Sequence, residues 1–358
     1  MMKDNFDSLA YRLTSPGVIE EVKIERILVD GWVAVEPSLA SVCHADLRYY
    51  TGSRRPETLA KKMPMALLHE GIGIVVDSMS DKFLKGDRVA IVPNIPGSVL
   101  SPETKQKPGI PANYMKNGAF LASGYDGIAQ SLLIHPAECL VKIPDSVPDD
   151  VAVLAELSTV SYHAISHVRE RLMDKTTQIA LFGDGPVGYF TAAMIRYMYG
   201  VKKENFIVFG ADDERLSAFD FARTENVKRY DFENNKERFD IVIEGTGGKF
   251  SEVAINQAIN VADSIADIIL LGVTEEKVPI NTRDALEKGL TLYGSSRSST
   301  EDFQAVIDAF SNDDYRRALA KILPETAEIV TNGEEFNNVM RDMANNHAWK
   351  KTLIKFQW

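Results

Sequence analysis

The feature that most constrains the fold is a glycine-rich turn in the middle of the chain. Gly183, Gly185 and Gly188 follow the apolar run Gln178–Phe182 and precede an apolar-periodic segment that reaches Tyr199. In such a context, the first glycine permits a tight turn, the second lets the backbone approach a pyrophosphate, and the third lets helix and strand pack closely. The start of the helix then offers unpaired N–H groups to the phosphates. The turn therefore predicts a dinucleotide-binding unit.

The segments around the turn predict the architecture of that unit. Apolar strands alternate with helical patterns, which indicates a doubly wound parallel sheet with right-handed crossovers. The predicted strands are Phe206–Phe209, Phe239–Ile243, Ile268–Gly272 and Leu290–Tyr293, and the predicted helices are Val151–Val168 and Phe250–Asn260. Before Val151, the chain instead consists of short apolar segments broken by Gly, Pro and Asp, which is typical of a β-rich domain. Strand-like segments there are Val18–Leu28, Trp32–Val35, Gly71–Val76, Arg88–Val92 and Ser131–Ile134. After Arg297, the chain carries two more helical patterns, Ser299–Phe310 and Glu334–Asn346, and a final strand-like segment, Lys351–Phe356, that could return to the first domain.

Composition limits the classes of function. A length of 358 residues indicates about two domains. The net charge of −11 is the wrong sign for binding nucleic acid or an anionic membrane. The two cysteines, Cys43 and Cys139, have no disulfide-type spacing, and no signal segment or membrane-spanning apolar run is present, so we expect a cytoplasmic protein.

The end of the second predicted strand bears on the choice of cofactor. An NAD-binding unit usually carries an acid there for the ribose 2′-hydroxyl, but this position is Gly210. The absence of a carboxylate favours NADP(H), with Arg215 or Lys228 available to pair with the 2′-phosphate. Asp212 and Asp213 follow closely, so that NAD stays an alternative.

Three short segments carry residue types that bind a metal. They are Cys43-His44-Ala45-Asp46, Leu68-His69-Glu70-Gly71 and Ala155-Glu156-Leu157-Ser158. A thiolate, an imidazole and a carboxylate suit a catalytic Zn²⁺, which takes about three protein ligands and leaves one position open. The candidate ligands are therefore Cys43, His69 and either Glu70 or Glu156.

The order of Cys43, His69-Glu70-Gly71, Glu156 and the glycine turn resembles the zinc-dependent medium-chain dehydrogenases, in particular their polyol branch. This resemblance implies a GroES-like β-rich catalytic domain formed by residues 1–155 and 297–358, and a Rossmann domain formed by residues 156–296. It also implies one catalytic zinc, with Asp46 orienting His69.

The chain departs from this family's pattern at several positions. Relatives often hold a structural zinc with four cysteines, but Pro93–Gly118 contains none, so we expect no structural zinc. Relatives usually carry a hydroxyl side chain two residues after the metal cysteine, where this chain has Ala45. They often carry a proton-relay histidine three residues later, where this chain has Arg48. A zinc-bound water assisted by Glu156 is the alternative route for the proton.

Finer features resemble the bacterial ribulose-5-phosphate reductases. They are Arg48-Tyr49-Tyr50-Thr51-Gly52-Ser53-Arg54, Asn281-Thr282-Arg283, Leu286-Glu287-Lys288-Gly289-Leu290, Gly294-Ser295-Ser296-Arg297-Ser298 and Trp349-Lys350-Lys351-Thr352-Leu353. The resemblance implies NADPH-dependent reduction of D-ribulose 5-phosphate to D-ribitol 5-phosphate by zinc-assisted hydride transfer, for CDP-ribitol and wall teichoic acid.

A phosphorylated sugar bound by an acidic chain needs placed cations, and arginine suits bidentate phosphate binding. The candidate substrate residues are Arg48, Tyr50, Arg54 and Arg297. The family further implies a homodimer or homotetramer that works with a cytidylyltransferase. The alternatives are an NAD-dependent sorbitol- or xylitol-type dehydrogenase and a catalytically silent cofactor-binding relative.

Overall fold

The chain divides into two compact units in the computed structural model, which describes residues 5–101, 103–105, 107–346 and 349–358. The first unit contains the chain up to Glu156, Arg297–Ser311 and Ile322–Trp358, and the second contains Leu157–Ser296 and Asn312–Lys321. The sequence prediction had assigned all of 297–358 to the first domain. The structure differs at Asn312–Lys321, because Tyr189 of the second unit donates a hydrogen bond to the carbonyl of Ala318 at 2.9 Å.

The first unit is rich in β-structure. Its strands are β1 (Asn5–Ser15), β2 (Val18–Ile27), β3 (Trp32–Ser41), β4 (Met65–Ala66), β5 (Glu70–Ser78), β6 (Arg88–Ile91), β7 (Asn94–Ile95), β8 (Ala119–Phe120), β9 (Leu133–Pro136), β10 (Leu140–Lys142), β17 (Glu328–Val330) and β18 (Leu353–Phe356). Its helices are α1 (His44–Tyr50), α2 (Pro56–Lys62), α3 (Gly97–Leu100), α4 (Asp149–Ala152), α11 (Thr300–Ala309) and α13 (Gly333–Asn345). Helix α5 (Ala155–Ser166) crosses the boundary between the units.

The main sheet of the first unit brings its early and late segments together. Its strand order is β10-β6-β5-β3-β18-β17, with β9 also paired to β3. Strand β18 runs antiparallel to β3, and Ile354 is opposite Ala40. Tyr11 packs against Phe336 and Phe356 at ring distances of 5.8 and 6.4 Å. The apolar residues of β18 and α13 therefore belong to the same core as those of β1.

The second unit is a parallel sheet with helices between its strands. Its strands are β11 (Ile179–Phe182), β12 (Phe206–Gly210), β13 (Arg223–Asn226), β14 (Phe239–Glu244), β15 (Ala262–Leu270) and β16 (Thr291–Gly294), and its helices are α6 (Arg169–Leu172), α7 (Pro186–Tyr197), α8 (Asp213–Leu216), α9 (Ser251–Val261), α10 (Thr282–Glu287) and α12 (Asp313–Ala320). All of its strand pairs are parallel, in the order β13-β12-β11-β14-β15-β16. This is the doubly wound order that binds dinucleotides. The predicted combination of a β-rich and a parallel-sheet unit is confirmed.

Several predicted elements have different limits in the structure. Strand β3 continues beyond Val35 to Ser41, through Pro37, because its pairing with β5 shifts register at that point and accommodates the proline. The helix predicted over Val151–Val168 is broken into α4 and α5. Within the described part of the chain, no helix has the length and apolar character needed to span a membrane.

Candidate active site

The start of α1 positions the candidate metal cysteine. Cys43 is the N-cap residue, and its Sγ accepts a hydrogen bond from the N–H of Ala45 at 3.5 Å. Asp46 accepts a hydrogen bond from the N–H of Cys43 at 3.1 Å, which completes a capping box. The thiol is thus fixed at a helix start, where the backbone N–H groups favour a negative charge.

Asp46 also fixes the candidate metal histidine. Its Oδ1 lies 3.2 Å from Nδ1 of His69 and accepts the N–H of Leu68 at 3.1 Å. This hydrogen bond assigns the proton to Nδ1 and leaves Nε2 available to a metal. Leu68 has a φ of 70°, a left-handed conformation that is costly for leucine, so the turn before His69 is held by its surroundings. Burial disfavours a charged imidazole, but the Asp46 carboxylate outweighs it and holds the pKa of His69 well above its usual value.

Glu70 is fully buried beside the ammonium group of Lys351, a residue to which no sequence pattern assigns a role. Its Oε2 accepts hydrogen bonds from Ser41 Oγ and from Lys351 Nζ, the latter at 2.7 Å. Lys351 also donates to the carbonyl of Val42 at 2.8 Å. Although burial opposes its charge, Glu70 raises the pKa of Lys351. The other carboxylate oxygen of Glu70, Oε1, is buried without a hydrogen-bond partner.

The structure brings Cys43, His69 and Glu70 together. One ligand atom from each lies within 4.8 Å of the others, and this is the group of metal-binding side chains found among the described residues. A buried carboxylate oxygen without a donor is costly unless a cation is supplied. Together with a thiol and an imidazole, it fits a zinc ion well. Burial and the charge of Glu70 raise the pKa of the Cys43 thiol in the metal-free chain.

Glu156, the second candidate carboxylate, lies near this group but outside the 4.8 Å cluster. Burial raises its pKa to about 7, and the negative charge of Glu70 adds to the rise, while His69 and Lys351 oppose it. A carboxyl group with this pKa can accept or donate a proton near neutral pH. The structure thus groups Glu70, and not Glu156, with Cys43 and His69, while the raised pKa of Glu156 fits a proton-transfer role.

The candidate substrate residues lie in different environments. The Tyr50 hydroxyl donates to the side chain and carbonyl of Asn337, at 3.1 and 3.2 Å, so it packs against α13. The Arg54 guanidinium lies over the Tyr49 ring, 4.9 Å from its centre. Arg48 is partly buried, and Arg297 is exposed, with a left-handed φ of 60°.

The predicted glycine turn has the geometry that a dinucleotide requires. A Cβ at Gly188 would lie 2.0 Å from the Gly183 carbonyl oxygen, and Gly183 itself has a φ of 133°. Both positions therefore need glycine. Gly185 caps α7 and has no atom within 4 Å of its Cβ position, which leaves space beside the first N–H groups of the helix.

The end of β12 explains why Gly210 replaces an acid. A Cβ there would lie 2.7 Å from the Asp184 side chain, whose Oδ2 accepts the N–H groups of Ala211 and Asp212 at 2.7 and 2.9 Å. Asp213 is bound by Arg229 at 2.7 and 2.9 Å.

The two cations predicted to pair with the 2′-phosphate lie at the end of β12. Arg215 lies 3.9 Å from the carboxylate of Asp212, and Lys228 donates to the carbonyl of Ala211 at 3.1 Å. Both side chains thus border the loop that follows β12.

The chain is similar to known reductases over almost its whole length. Residues 29–145 match the alcohol dehydrogenase GroES-like domain. The chain is 37% identical over 347 residues to ribulose-5-phosphate reductase 1 of Staphylococcus aureus, covering 97% of this chain and 98% of that protein. It is 35% identical over 355 residues to the ribulose-5-phosphate reductase of Bacillus spizizenii, with the same coverage. The crystal structure of S. aureus TarJ in complex with NADPH has a TM-score of 0.83 at 32% identity, covering 99% of this chain and 100% of that one.

Proposed function

Because the chain belongs to the zinc-dependent medium-chain dehydrogenase/reductase family, in the group of the ribulose-5-phosphate reductases, we propose that it reduces D-ribulose 5-phosphate to D-ribitol 5-phosphate with NADPH. The observation that carries the proposal is the cluster of Cys43, His69 and Glu70, with the unsatisfied Oε1 of Glu70. An intact ligand set argues against a catalytically silent relative.

The residues of this cluster fit one catalytic Zn²⁺. Cys43, His69 and a carboxylate, Glu70 or Glu156, would hold it, and the bound ion would act as a Lewis acid toward the substrate carbonyl. Asp46 keeps the imidazole in the tautomer that presents Nε2. Glu156 is the candidate group for moving the proton that the product hydroxyl requires, because it is a buried carboxyl that interacts with His69 and Glu70, and burial raises its pKa in the metal-free chain.

NADPH is supported by the chain's own residues and by the NADPH-bound relative. The Gly183–Gly188 turn accepts the pyrophosphate at the start of α7. Gly210 removes the repulsion between a carboxylate and a 2′-phosphate, while Arg229 already neutralises Asp213. Arg215 is the cation assigned to the 2′-phosphate, with Lys228 as the second candidate.

The proposed product, ribitol 5-phosphate, indicates which reaction would follow. Ribitol 5-phosphate would be passed to a cytidylyltransferase in the cytoplasm, and the CDP-ribitol formed would supply wall teichoic acid. The substrate phosphate would be bound by placed cations such as Arg48, Arg54 and Arg297, since the chain as a whole is acidic. We propose a homodimer or homotetramer, as the family implies.

A paired cofactor assay tests this function. The zinc-loaded enzyme is mixed with NADPH or NADH and with ribulose 5-phosphate or unphosphorylated ribulose, and cofactor oxidation is followed. We expect the highest rate with NADPH and ribulose 5-phosphate. Equal rates with both sugars would overturn the phosphorylated substrate, whereas a preference for NADH and a free sugar would assign a polyol dehydrogenase. No oxidation with any pair would indicate a silent relative.

A further inference from the structure

Four side chains of the first unit form a polar group that we call the Lys62 cluster: Tyr49, Arg54, Lys62 and Ser123. Lys62 Nζ donates to Ser123 Oγ at 2.6 Å and to the Tyr49 hydroxyl at 3.1 Å. The two hydroxyls are 3.3 Å apart. The Arg54 guanidinium and the Lys62 ammonium lie 4.9 and 5.8 Å from the centre of the Tyr49 ring. Two positive charges thus gather around two neutral hydroxyl groups.

The charge of Lys62 has no acidic counterpart in the part of the chain that the structure describes. Both of its hydrogen bonds are to hydroxyl oxygens, and no carboxylate forms an ion pair with it. An ammonium group has three N–H donors, so one donor stays available. In a protein with a net charge of −11, a partly buried lysine with this environment is suited to an anion.

The loop that carries Ser123 is built to present it to Lys62. Ala122 and Gly124, on either side of Ser123, have left-handed φ values of 56° and 85°. The N–H of Ser123 donates to the carbonyl of Phe120 at 3.1 Å. A Cβ at Gly124 would lie 3.2 Å from Lys62 Cγ, so only a small residue fits there. A strained loop of this kind often serves a binding site.

The same loop and helix also contact the metal ligands. Phe120 packs against the His69 ring at 5.6 Å between centres. Tyr49 follows Cys43 by six residues along α1, a distance of about 9 Å at the rise of an α-helix. In ribulose 5-phosphate, about five bonds of roughly 1.5 Å separate the carbonyl carbon from the phosphorus, which is a reach of the same order.

We propose that the Lys62 cluster binds the phosphate group of the sugar-phosphate substrate, an inference that rests on the proposed function. The free N–H of Lys62 and the hydroxyl hydrogen that is not used between Tyr49 and Ser123 donate to phosphate oxygens, while Arg54 supplies the second positive charge. The cluster thus places Tyr49, instead of Tyr50, at the phosphate and adds Lys62, which no sequence motif indicates.

The test compares Lys62→Met with Lys61→Met, the exposed neighbour on the same helix. Steady-state kinetics with NADPH are measured for ribulose 5-phosphate and for ribulose. We expect Lys62→Met to raise the KM for ribulose 5-phosphate by about 10- to 100-fold, the loss of a charge-assisted hydrogen bond. The KM for ribulose should change at least tenfold less, and Lys61→Met should behave like the unsubstituted enzyme.

A binding measurement separates this inference from the proposed function. Ribulose 5-phosphate is titrated calorimetrically into both variants in the presence of NADP⁺, which cannot donate a hydride. Weaker binding by Lys62→Met alone supports the cluster, even if the enzyme turns over no ribulose 5-phosphate. Equal affinities, or an equal loss for ribulose and its phosphate in the kinetic assay, would overturn it, and thermal unfolding of both variants identifies a folding defect.

Discussion

Lys351 and Glu70 form a buried ion pair between distant parts of the sequence. The side chains are 6% and 1% exposed, so each charge depends on the other for compensation. Removing one partner of such a pair leaves an isolated buried charge, which is strongly destabilising. The pair therefore links the integrity of the metal cluster to the end of the chain.

We expect Lys351→Met to lower the free energy of unfolding of the zinc-free protein by about 3 kcal/mol. Lys350→Met is the matched control, because Lys350 is exposed and adjacent, and it should change stability by less than about 0.5 kcal/mol. Urea unfolding after chelation measures both. Equal stability of the two variants would contradict a structural role for the pair.

His135 gives the fold a pH dependence that does not involve the metal cluster. Its ring is fully buried on β9, and the carbonyl of Val92 lies 2.9 Å from Nε2. Burial lowers the pKa of His135 to about 4, below the unfolded value of about 6.5. Between these two values the unfolded chain binds more protons than the folded chain. The contribution of His135 to the free energy of unfolding is therefore fully present above neutral pH and is lost as the pH falls.

Between pH 7.5 and 5.5 we expect this histidine to account for a loss of about 1.3 kcal/mol in the free energy of unfolding. His135→Gln keeps a donor for the Val92 carbonyl but does not titrate, so its loss over the same range should be smaller by that amount. Urea unfolding at both pH values measures the difference. An identical pH dependence in the two proteins would show that His135 is not buried in its neutral form.

Gly185 and Gly188 of the glycine turn are required for different reasons. An alanine in place of Gly188 would have its Cβ 2.0 Å from the carbonyl oxygen of Gly183. An alanine in place of Gly185 would have no atom within 4 Å of its Cβ, and the φ of −82° there is one that any residue can adopt. We expect Gly188→Ala to lower the Tm markedly. Gly185→Ala should fold normally but weaken NADPH binding at least tenfold, since its methyl group occupies the pyrophosphate's approach. Thermal melting and NADPH fluorescence titration distinguish the two, and normal NADPH affinity in Gly185→Ala would contradict the assigned position of the pyrophosphate.

The elements that sequence patterns predict well are those with local signatures. The turn at Gly183 and the strand before it depend on residues close in sequence. Strand β3 was predicted too short because Pro37 is a local signal for a break, and its tolerance depends on a register shift against another strand. Local patterns therefore gave the elements but not the irregularities that long-range pairing permits.

The site residues that sequence patterns assign wrongly or leave unassigned all depend on long-range packing. Tyr49 and Tyr50 are adjacent, and only the position of α13 decides that Tyr50 bonds to Asn337. Lys351 lies in the segment Trp349–Leu353 that resembles the reductases, but its contact with Glu70 requires β18 to lie beside β3. Lys62 lies in no sequence motif, and its candidate role depends on its hydrogen bond to Ser123 in a distant loop.

At the scale of the whole chain, the C-terminal segment completes the first unit. Strand β18 lies between β3 and β17, and the N–H of Val42 donates to the carbonyl of Thr352 at 3.1 Å. Lys351 bonds to the carbonyl of the same Val42, which directly precedes Cys43. The backbone that leads into the metal cysteine is thus held by residues from the far end of the sequence.

A chain that ends at Lys350 should consequently lose the metal site. It lacks both β18 and the ammonium group at Glu70, so we expect its zinc affinity to fall by at least tenfold. A chain that ends at Phe356 keeps both features and serves as the control. Zinc content after dialysis against a competing chelator measures the difference, and circular dichroism reports whether folded structure persists. Equal zinc retention by the two chains would mean that Cys43, His69 and Glu70 assemble without the C-terminal strand, and that Lys351 contributes only to stability.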